Sequence, residues 1–207
     1  MTTKELAKYI EKNLKSPQTA TIDLETGLAA LRKIAKVAHK ENVTWALLGG
    51  IAMQIYGGPR QTRDVDVLAA KTLSLESERT LSFGGERYRA RVGEKDVAID
   101  WIVRSDFAKA FYRKALEDAV RVANVPIVTP EWLVILKYMA GRFKDQEDGV
   151  FLLKQKGLVD RKLLRKKIID TAGGPVWATM ANHLRRWYDL ADGKITTEKE
   201  DYEADRL

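Results

Sequence analysis

The chain contains no cysteine and only two histidines among its 207 residues. The lack of cysteine excludes a disulfide framework and a thiolate metal site, so a reducing, cytoplasmic setting is expected. The two histidines, His39 and His183, are too few to form a histidine metal cluster. His39 is expected near the end of a helix, where a partial positive charge is favourable.

Long apolar runs are also missing. No run approaches the roughly 20 residues that a membrane-spanning helix requires. The first residues, MTTKELAKYIEKN, predict an amphipathic helix over 3–14 rather than a signal peptide. No Gly-x-x-x-x-Gly-Lys-Ser/Thr motif occurs, which argues against a P-loop NTPase. The sequence therefore predicts a protein without a membrane segment, and its length indicates one domain or one domain with a smaller appendage.

Positive charge is in excess, with a formal net charge of +7. Such an excess indicates a polyanionic partner such as nucleic acid, although many soluble proteins are equally basic without one. The basic side chains are densest between Lys154 and Lys167, which we call the basic segment. This helical stretch is a candidate site for an RNA acceptor, and the alternative is a solvated helix face.

The stretch from Trp45 to Leu68 organises the rest of the chain. Its first four residues form a short apolar run that predicts a buried strand. Gly49 and Gly50 follow at once and allow a tight turn with close approach of another group. A short helix is predicted over 51–56, and helix N-termini present N–H groups to phosphate. The turn is therefore either a phosphate-binding element or only a tight connection.

Carboxylates follow on a second predicted strand, which begins at Asp64. Side chains alternate along a strand, so Asp64 and Asp66 lie on one face. Two adjacent carboxylates repel each other, and a bound divalent cation relieves that repulsion. Oxygen ligands are those that magnesium prefers. The strands at 86–92 and 97–103 are predicted to form an antiparallel hairpin that carries Asp100. Asp100 is either paired with a nearby arginine or a third catalytic carboxylate.

The remaining elements are mostly helical. Thr129 and Pro130 form a typical helix start, and Lys137 is the one charge inside the apolar stretch that follows. A lysine there commonly extends to solvent. Lys144 and Asp148 are four residues apart and share a face if helical, where a surface ion pair is the plain interpretation. Further predictions are a helix to Lys40 capped by Asp23 or Thr26, a helix over 105–118 capped by Ser105 or Asp106, one strand over 121–128 with Pro126 at a sheet edge, and a last helix over 176–190 after Gly173-Gly174-Pro175.

The pattern of Gly49-Gly50, followed by Arg60-x-Thr62-x-Asp64-x-Asp66, resembles the nucleotidyltransferase superfamily, whose fold is that of the DNA polymerase β catalytic core. It is most similar to the small bacterial AbiEii toxins. The resemblance spans about residues 23–153 and is strongest over 47–68. It implies an α+β fold in which a small mixed β-sheet is flanked by helices and followed by a helical C-terminal part. The domains would be 1–128, catalytic with N-terminal helices, and 129–207, helical.

The resemblance also implies a function and a set of site residues. The chain would be a metal-dependent nucleotidyltransferase that moves an NMP from an NTP to an acceptor hydroxyl, as a toxin acting on tRNA, with a cognate antitoxin. Two Mg²⁺ ions are implied. The catalytic and metal-binding residues would be Asp64, Asp66 and Asp100. The nucleotide-binding residues would be Gly49, Gly50, Arg60, Thr62, Lys137, Lys144 and Asp148, with Lys137 and Lys144 near the phosphates and Asp148 orienting Lys144.

Two rival functions belong to other classes. One is a non-catalytic nucleotide-binding or antitoxin-like module with the same fold, which the presence of all three carboxylates argues against. The other is a plain RNA-binding protein, which explains the charge but not the spacing of the glycines and aspartates. The chain departs from the family at Ala52, where many relatives carry a hydroxyl or another small residue near the phosphate. The basic segment matches no family motif.

Overall fold

The computed structural model describes residues 21–196, so the helix predicted over 3–14 lies outside the described residues. Seven strands form one mixed sheet in the order β3-β4-β5-β2-β1-β7-β6. Helices pack around this sheet, and the C-terminal part is helical. The predicted α+β architecture is therefore confirmed. The strands are β1 Trp45–Leu48, β2 Asp64–Ala69, β3 Arg79–Thr80, β4 Gly85–Val92, β5 Lys95–Ile102, β6 Val120–Val122 and β7 Val125–Ile127; the helices are α1 Leu24–Lys40, α2 Gly49–Ile55, α3 Lys109–Glu117, α4 Pro130–Ala140, α5 Phe143–Lys154 and α6 Arg161–Ala191.

The centre of the sheet carries the aspartates. Strand β2 runs antiparallel to β1 and parallel to β5. In this register Asp66 lies opposite Leu48 on one side and opposite Asp100 on the other. The face of β2 that carries Val65 and Val67 is buried in the core, which explains its apolar residues. The alternation of side chains thus leaves the carboxylates together on the face away from those valines.

The predicted hairpin of β4 and β5 is confirmed, but the turn expected over 93–96 is two residues shorter, because β5 begins at Lys95. Val92 pairs with Lys95, so only Gly93 and Glu94 lie between the strands. Gly93 has a φ of 57°, a conformation that glycine adopts without steric penalty. Because the register of a hairpin follows from its turn, this turn places Arg87 directly opposite Asp100.

The region after α3 differs from the prediction. The single strand expected over 121–128 is two strands, because Ala123 and Asn124 have φ values of 47° and 65° and turn the chain back. Strand β6 occupies the edge, and Pro126 lies in β7, between β6 and β1. The edge position expected for Pro126 is therefore wrong. Helix α3 also begins four residues later than expected, since Asp106 accepts a hydrogen bond from the Ala108 amide before the first turn.

The other helix boundaries follow the expected signals. Asp23 caps α1 and accepts a hydrogen bond of 2.7 Å from the Thr26 amide. Pro130 opens α4, which ends at Gly141 in the left-handed conformation. Gly173, with φ 85° and ψ 169°, interrupts α6 where a separate last helix was predicted. Within residues 21–196, no helix has both the length and the apolarity to span a bilayer. The division into domains at residue 128 stays a prediction.

Candidate functional site

A cleft of about 400 Å³ opens between the central strands and helices α4 and α5. Segments that are far apart in the sequence meet there. Of the residues predicted to act, all but Asp148 line the cleft, and Asp148 contacts two that do. The predicted residues that line it are Gly49, Gly50, Arg60, Thr62, Asp64, Asp66, Asp100, Lys137 and Lys144.

The two glycines are required by close contacts with side chains of the same cleft. A Cβ at Gly49 would lie 1.8 Å from Asp66 Oδ2, and Gly49 has a φ of 64°. A Cβ at Gly50 would lie 2.5 Å from Thr62 Oγ1. Thr62 in turn donates to Asp64, with its Oγ1 3.2 Å from Asp64 Oδ1. The Gly-Gly pair therefore lets the start of α2 pack directly on the residues that carry the carboxylates.

Arg87 provides the positive charge beside these carboxylates. Its Nε donates to Asp100 Oδ1 at 2.5 Å, and its Nη2 donates to Asp100 Oδ2 at 2.8 Å. The same Nη2 lies 3.3 Å from Asp64 Oδ2. Bidentate arginine–carboxylate pairs are strong and geometrically specific. The hydrogen bonds to Asp100 raise the pKa of Arg87. One of the two interpretations of Asp100, pairing with an arginine, is thus observed. We call Asp64, Asp66, Asp100 and Arg87 the strand cluster.

Asp66 is the least compensated member of the strand cluster. Within residues 21–196, its carboxylate accepts one hydrogen bond, from the Gly50 amide at 3.4 Å. Burial, followed by the charges of Asp64 and Asp100, raises the pKa of Asp66 to about 7. The carboxylates of Asp64, Asp66 and Asp100 cannot all be charged at this spacing without a further positive charge. The site therefore favours either protonation of Asp66 or binding of a cation.

The donor chemistry of Asp64 and Asp66 fits magnesium, which prefers carboxylate oxygens. Both oxygens of Asp100 accept hydrogen bonds from Arg87, and those of Asp64 accept from Thr62 and, at 3.3 Å, from Arg87. Among residues 21–196, no group of three or more histidine, aspartate or glutamate side chains is arranged to hold a metal ion. The donor chemistry of Asp64 and Asp66 thus fits a metal ion, and Asp100 fits as a ligand only if Arg87 releases it.

A second group of charges faces the same cleft from α4 and α5. Lys137 Nζ lies 2.9 Å from Asp145 Oδ1 and 2.7 Å from Asp148 Oδ2. Arg142 donates through Nε to Asp145 Oδ2 at 2.5 Å. Arg60 donates to both oxygens of Asp148, at 3.1 and 3.0 Å. This helix cluster therefore places three cations around two carboxylates.

In the helix cluster, hydrogen bonds from the cations outweigh the effect of burial on the pKa values of the carboxylates. Burial alone raises the pKa of Asp145, but hydrogen bonds from Arg142 and Lys137 hold it below the ordinary value. Burial likewise raises the pKa of Asp148, and hydrogen bonds from Arg60 and Lys137 more than offset it. Both carboxylates are therefore held in their charged form.

The structure corrects one predicted contact. Asp148 was expected to orient Lys144, but its oxygens accept from Arg60 and Lys137 instead. The backbone explains this, because Asp148 is on the buried side of α5 whereas Lys144 is exposed near its start. Within the described chain the amino group of Lys144 has neither a hydrogen bond nor an ion pair. Its amino group is therefore available to a ligand, whereas that of Lys137 is held by two carboxylates.

Several cleft residues were not identified from the sequence. Arg87 and Asp145 complete the two clusters, and Arg142 lines the cleft beside Asp145. Arg104 and Tyr112 also line it, with the Arg104 guanidinium 5.0 Å from the Tyr112 ring centre. The observed hairpin register makes Arg87 the cross-strand partner of Asp100, whereas the strand bounds predicted from the sequence would have put Arg89 there. Asp145 carries no such signal, because its partner Lys137 belongs to a different helix.

The basic segment lies on α5, α6 and their connection, and part of its charge is paired. Lys166 pairs with Asp170, and Lys167 pairs with Asp118 at 2.5 Å. Arg161 pairs with Asp192, which lies beyond the segment. Within residues 21–196, the amino groups of three lysines in the segment have no hydrogen bond or ion pair: Lys154, Lys156 and Lys162.

Comparisons with known proteins give distant structural likenesses. No family model matches the sequence, and no curated protein matches it either. Among solved structures, the chain is similar to an antigenic nucleotidyltransferase-like protein from Paracoccidioides brasiliensis, with 14% identity and a TM-score of 0.45 over 84% of this chain and 94% of that one. It is also similar to the antibiotic-resistance factor ANT(2'')-Ia, with 14% identity and a TM-score of 0.37 over 83% of this chain and 98% of that one.

Proposed function

We propose that this chain is a metal-dependent nucleotidyltransferase that moves an NMP from an NTP to an acceptor hydroxyl. The observation that carries the proposal is the meeting of Gly49, Gly50, Asp64, Asp66 and Asp100 in one cleft. Carboxylates on adjacent strands next to a close-packed glycine turn suit a metal–triphosphate complex. The two distant structural neighbours are not used as support for this proposal.

In this proposal Asp64 and Asp66 would hold Mg²⁺, and Asp100 would join them as a ligand for two ions if Arg87 released it. When bound, the metal neutralises phosphate charge and lowers the pKa of the acceptor hydroxyl. The hydroxyl oxygen forms a bond to the α-phosphorus, and the bond from that phosphorus to the bridging oxygen of pyrophosphate breaks. The hydroxyl proton passes to Asp100.

The cations of the cleft take different roles in this proposal. Lys144 is exposed, lines the cleft and has no partner in the described chain, so its amino group contacts the phosphates. Lys137 and Asp148 act through their neighbours, because Lys137 holds Asp148 and Asp148 holds Arg60. They therefore position Arg60 toward the nucleotide. Backbone N–H groups at Gly49 and Gly50 and the Thr62 hydroxyl complete the proposed nucleotide contacts.

A second candidate is a non-catalytic nucleotide-binding or antitoxin-like module with the same fold. It is favoured by one observation, the pairing of Asp100 with Arg87, which occupies both oxygens of that carboxylate.

The proposed biological setting of the enzyme is that of an AbiEii-like toxin acting on tRNA, in the cytoplasm, with a cognate antitoxin. The motif from Gly49 to Asp66 supports that assignment.

The test is transfer of label from each α-labelled NTP to total RNA in the presence of Mg²⁺. We expect labelled RNA and released pyrophosphate with the wild-type protein. The Asp64→Asn, Asp66→Asn double variant should lose transfer by at least about a thousandfold, since it removes the metal ligands. The control is Asp96→Asn, an exposed aspartate on β5 outside the cleft, which should transfer normally. Nucleotide binding without transfer would favour the second candidate, and transfer by the double variant would refute the metal site.

A further inference from the structure

Three of the five phenylalanines are exposed, and each one either lines the cleft or is next in sequence to a residue that lines it. Phe83 lines the cleft and is 38% exposed. Phe107 is 83% exposed and directly precedes Ala108, which lines the cleft. Phe143 is 72% exposed and lies between Arg142 and Lys144, which both line it. Exposing a phenyl ring forfeits the free energy of burying it, so rings gathered at one opening indicate a ligand.

A basic residue lies near each of these rings, in space for Phe83 and in sequence for Phe107 and Phe143. The Arg104 guanidinium lies 5.7 Å from the centre of the Phe83 ring. Lys109 follows Phe107 by two residues, and Lys144 directly follows Phe143. Within residues 21–196, the side-chain amino groups of Lys109 and Lys144 have no hydrogen bond or ion pair. Exposed rings beside unpaired lysines match a ligand that carries both flat aromatic groups and negative charges.

We propose that this rim, formed by Phe83, Phe107, Phe143 and Lys109, binds the single-stranded end of a nucleic acid that serves as the acceptor. Bases stack on the exposed rings, and Lys109 contacts a phosphate of the strand, while Lys144 remains with the phosphates of the NTP. Aromatic stacking combined with a positive groove is the usual means of binding single strands. The bases of a duplex are already stacked on one another, so a duplex cannot use the rings. The identification as acceptor rests on the proposed nucleotidyltransferase function.

The test measures binding by fluorescence anisotropy, without NTP or metal. The probes are a labelled eight-nucleotide adenosine RNA, an abasic strand of the same length and an RNA duplex. We expect the wild-type protein to bind the adenosine strand more tightly than the other two. Phe107→Ala and Phe143→Ala should each weaken binding of that strand by about five- to a hundredfold, and should leave binding of the abasic strand unchanged.

Two controls isolate stacking from other effects. The variants should keep the wild-type dependence of affinity on salt, because no cation that releases counterions is removed. Val122→Ala, which truncates an exposed apolar residue of the edge strand β6, should not alter binding. Melting temperatures should match the wild type, since both rings are exposed.

The proposal is overturned if the phenylalanine variants bind the adenosine strand as well as the wild type does, or lose equal affinity for the abasic strand. It is also overturned if the wild-type protein is a dimer that Phe107→Ala or Phe143→Ala dissociates, because the rim would then be an interface between copies. If the protein binds the strand by stacking but transfers no label, the proposed transfer reaction is wrong and the rim proposal stands. If label is transferred and the phenylalanine variants bind the strand normally, the rim proposal is wrong and the transfer reaction stands.

Discussion

The two charged clusters of the cleft carry opposite imbalances. The strand cluster sets three carboxylates against the single guanidinium of Arg87, and the pKa of Asp66 rises to about 7. The helix cluster sets three cations against Asp145 and Asp148, and both pKa values fall. Burial acts in the same direction in both clusters, so the number of partners decides the outcome. The strand cluster thus lacks positive charge, as expected of a metal-binding site, whereas the carboxylates of the helix cluster are fully compensated by their own cations.

The largest expected effect is on the stability of the helix cluster. Lys137→Met removes the amino group that bridges Asp145 and Asp148, leaving buried carboxylates with fewer partners. Breaking a buried ion pair in this way costs about 3–5 kcal/mol. Urea unfolding should show that loss. The resemblance implied that Lys137 lies near the phosphates, but its burial between two carboxylates leads us to expect the larger effect on stability.

Lys144→Met is the matched control for this change. It makes the same substitution at an exposed cleft lysine without partners in the described chain, so the free energy of unfolding should change by less than about 0.5 kcal/mol. The KM for NTP should rise, because this lysine is proposed to contact phosphate. Equal destabilisation by the two variants would mean that the helix cluster contributes no special stability.

The strand cluster should give the protein a pH dependence of the opposite sign to that of the helix cluster. Because the pKa of Asp66 is raised to about 7, its contribution to stability is fully present below about pH 4 and is lost as pH rises through 7. The loss is at most about 4 kcal/mol. Asp145 and Asp148, with lowered pKa values, instead lose their contribution as pH falls below the ordinary aspartate range.

Urea unfolding in EDTA at pH 5 and pH 8 measures this difference. Asp66→Asn should remove the loss between the two pH values, and should be more stable than the wild type at pH 8. Adding Mg²⁺ to the wild type at pH 8 should restore stability. If the wild type and Asp66→Asn depend on pH alike, the strand cluster lacks the repulsion that we assign to it.

A smaller effect is expected on metal affinity when the one cation of the strand cluster is removed. The Arg87 guanidinium contacts two of the proposed metal ligands, Asp64 and Asp100. It therefore repels a divalent cation and withholds Asp100 from it. Arg87→Gln should bind Mn²⁺ about tenfold more tightly, a change of about 1.4 kcal/mol. The metal-free variant should also be less stable.

Arg89→Gln is the control for charge. Arg89 lies two residues along β4 and makes the same kind of bidentate pair, with Glu78, at 2.7 and 2.9 Å. Its removal changes the net charge equally and should leave Mn²⁺ affinity within about twofold of the wild type. Weaker binding of Mn²⁺ by Arg87→Gln would show that Arg87 positions the ligands rather than competes with the metal.

The strand cluster was more predictable from sequence than the helix cluster, for a physical reason. Alternation along β2 fixes the shared face of Asp64 and Asp66 locally. Gly49 and Gly50 signal close approach, and the structure shows what approaches them. The role of Arg87 depends on a turn of two residues, because a turn two residues longer would place Arg89 opposite Asp100 instead.

Contacts between distant segments had no such local signal. The four-residue spacing of Lys144 and Asp148 suggested an ion pair. Asp148 is instead on the buried face of the helix, where its oxygens accept hydrogen bonds from Arg60 and Lys137. The prediction of one strand over 121–128 failed similarly, because non-glycine residues at 123 and 124 adopt positive φ angles. Propensity gives little warning of such a turn.

The smallest expected effect concerns the basic segment, whose pairing divides it into two parts. Lys166 and Lys167 pair with Asp170 and Asp118, so they have less capacity to release counterions from RNA. The lysines at 154, 156 and 162 have no such partners within residues 21–196. Their triple substitution by glutamine should flatten the plot of log K against log salt by about 0.7 for each phosphate that is no longer neutralised. Substituting Lys166 and Lys167 together should flatten it less, and NTP binding should not change in either variant. An unchanged slope in the triple variant would remove the basic segment from the acceptor site and leave the phenylalanine rim as the region that holds the acceptor.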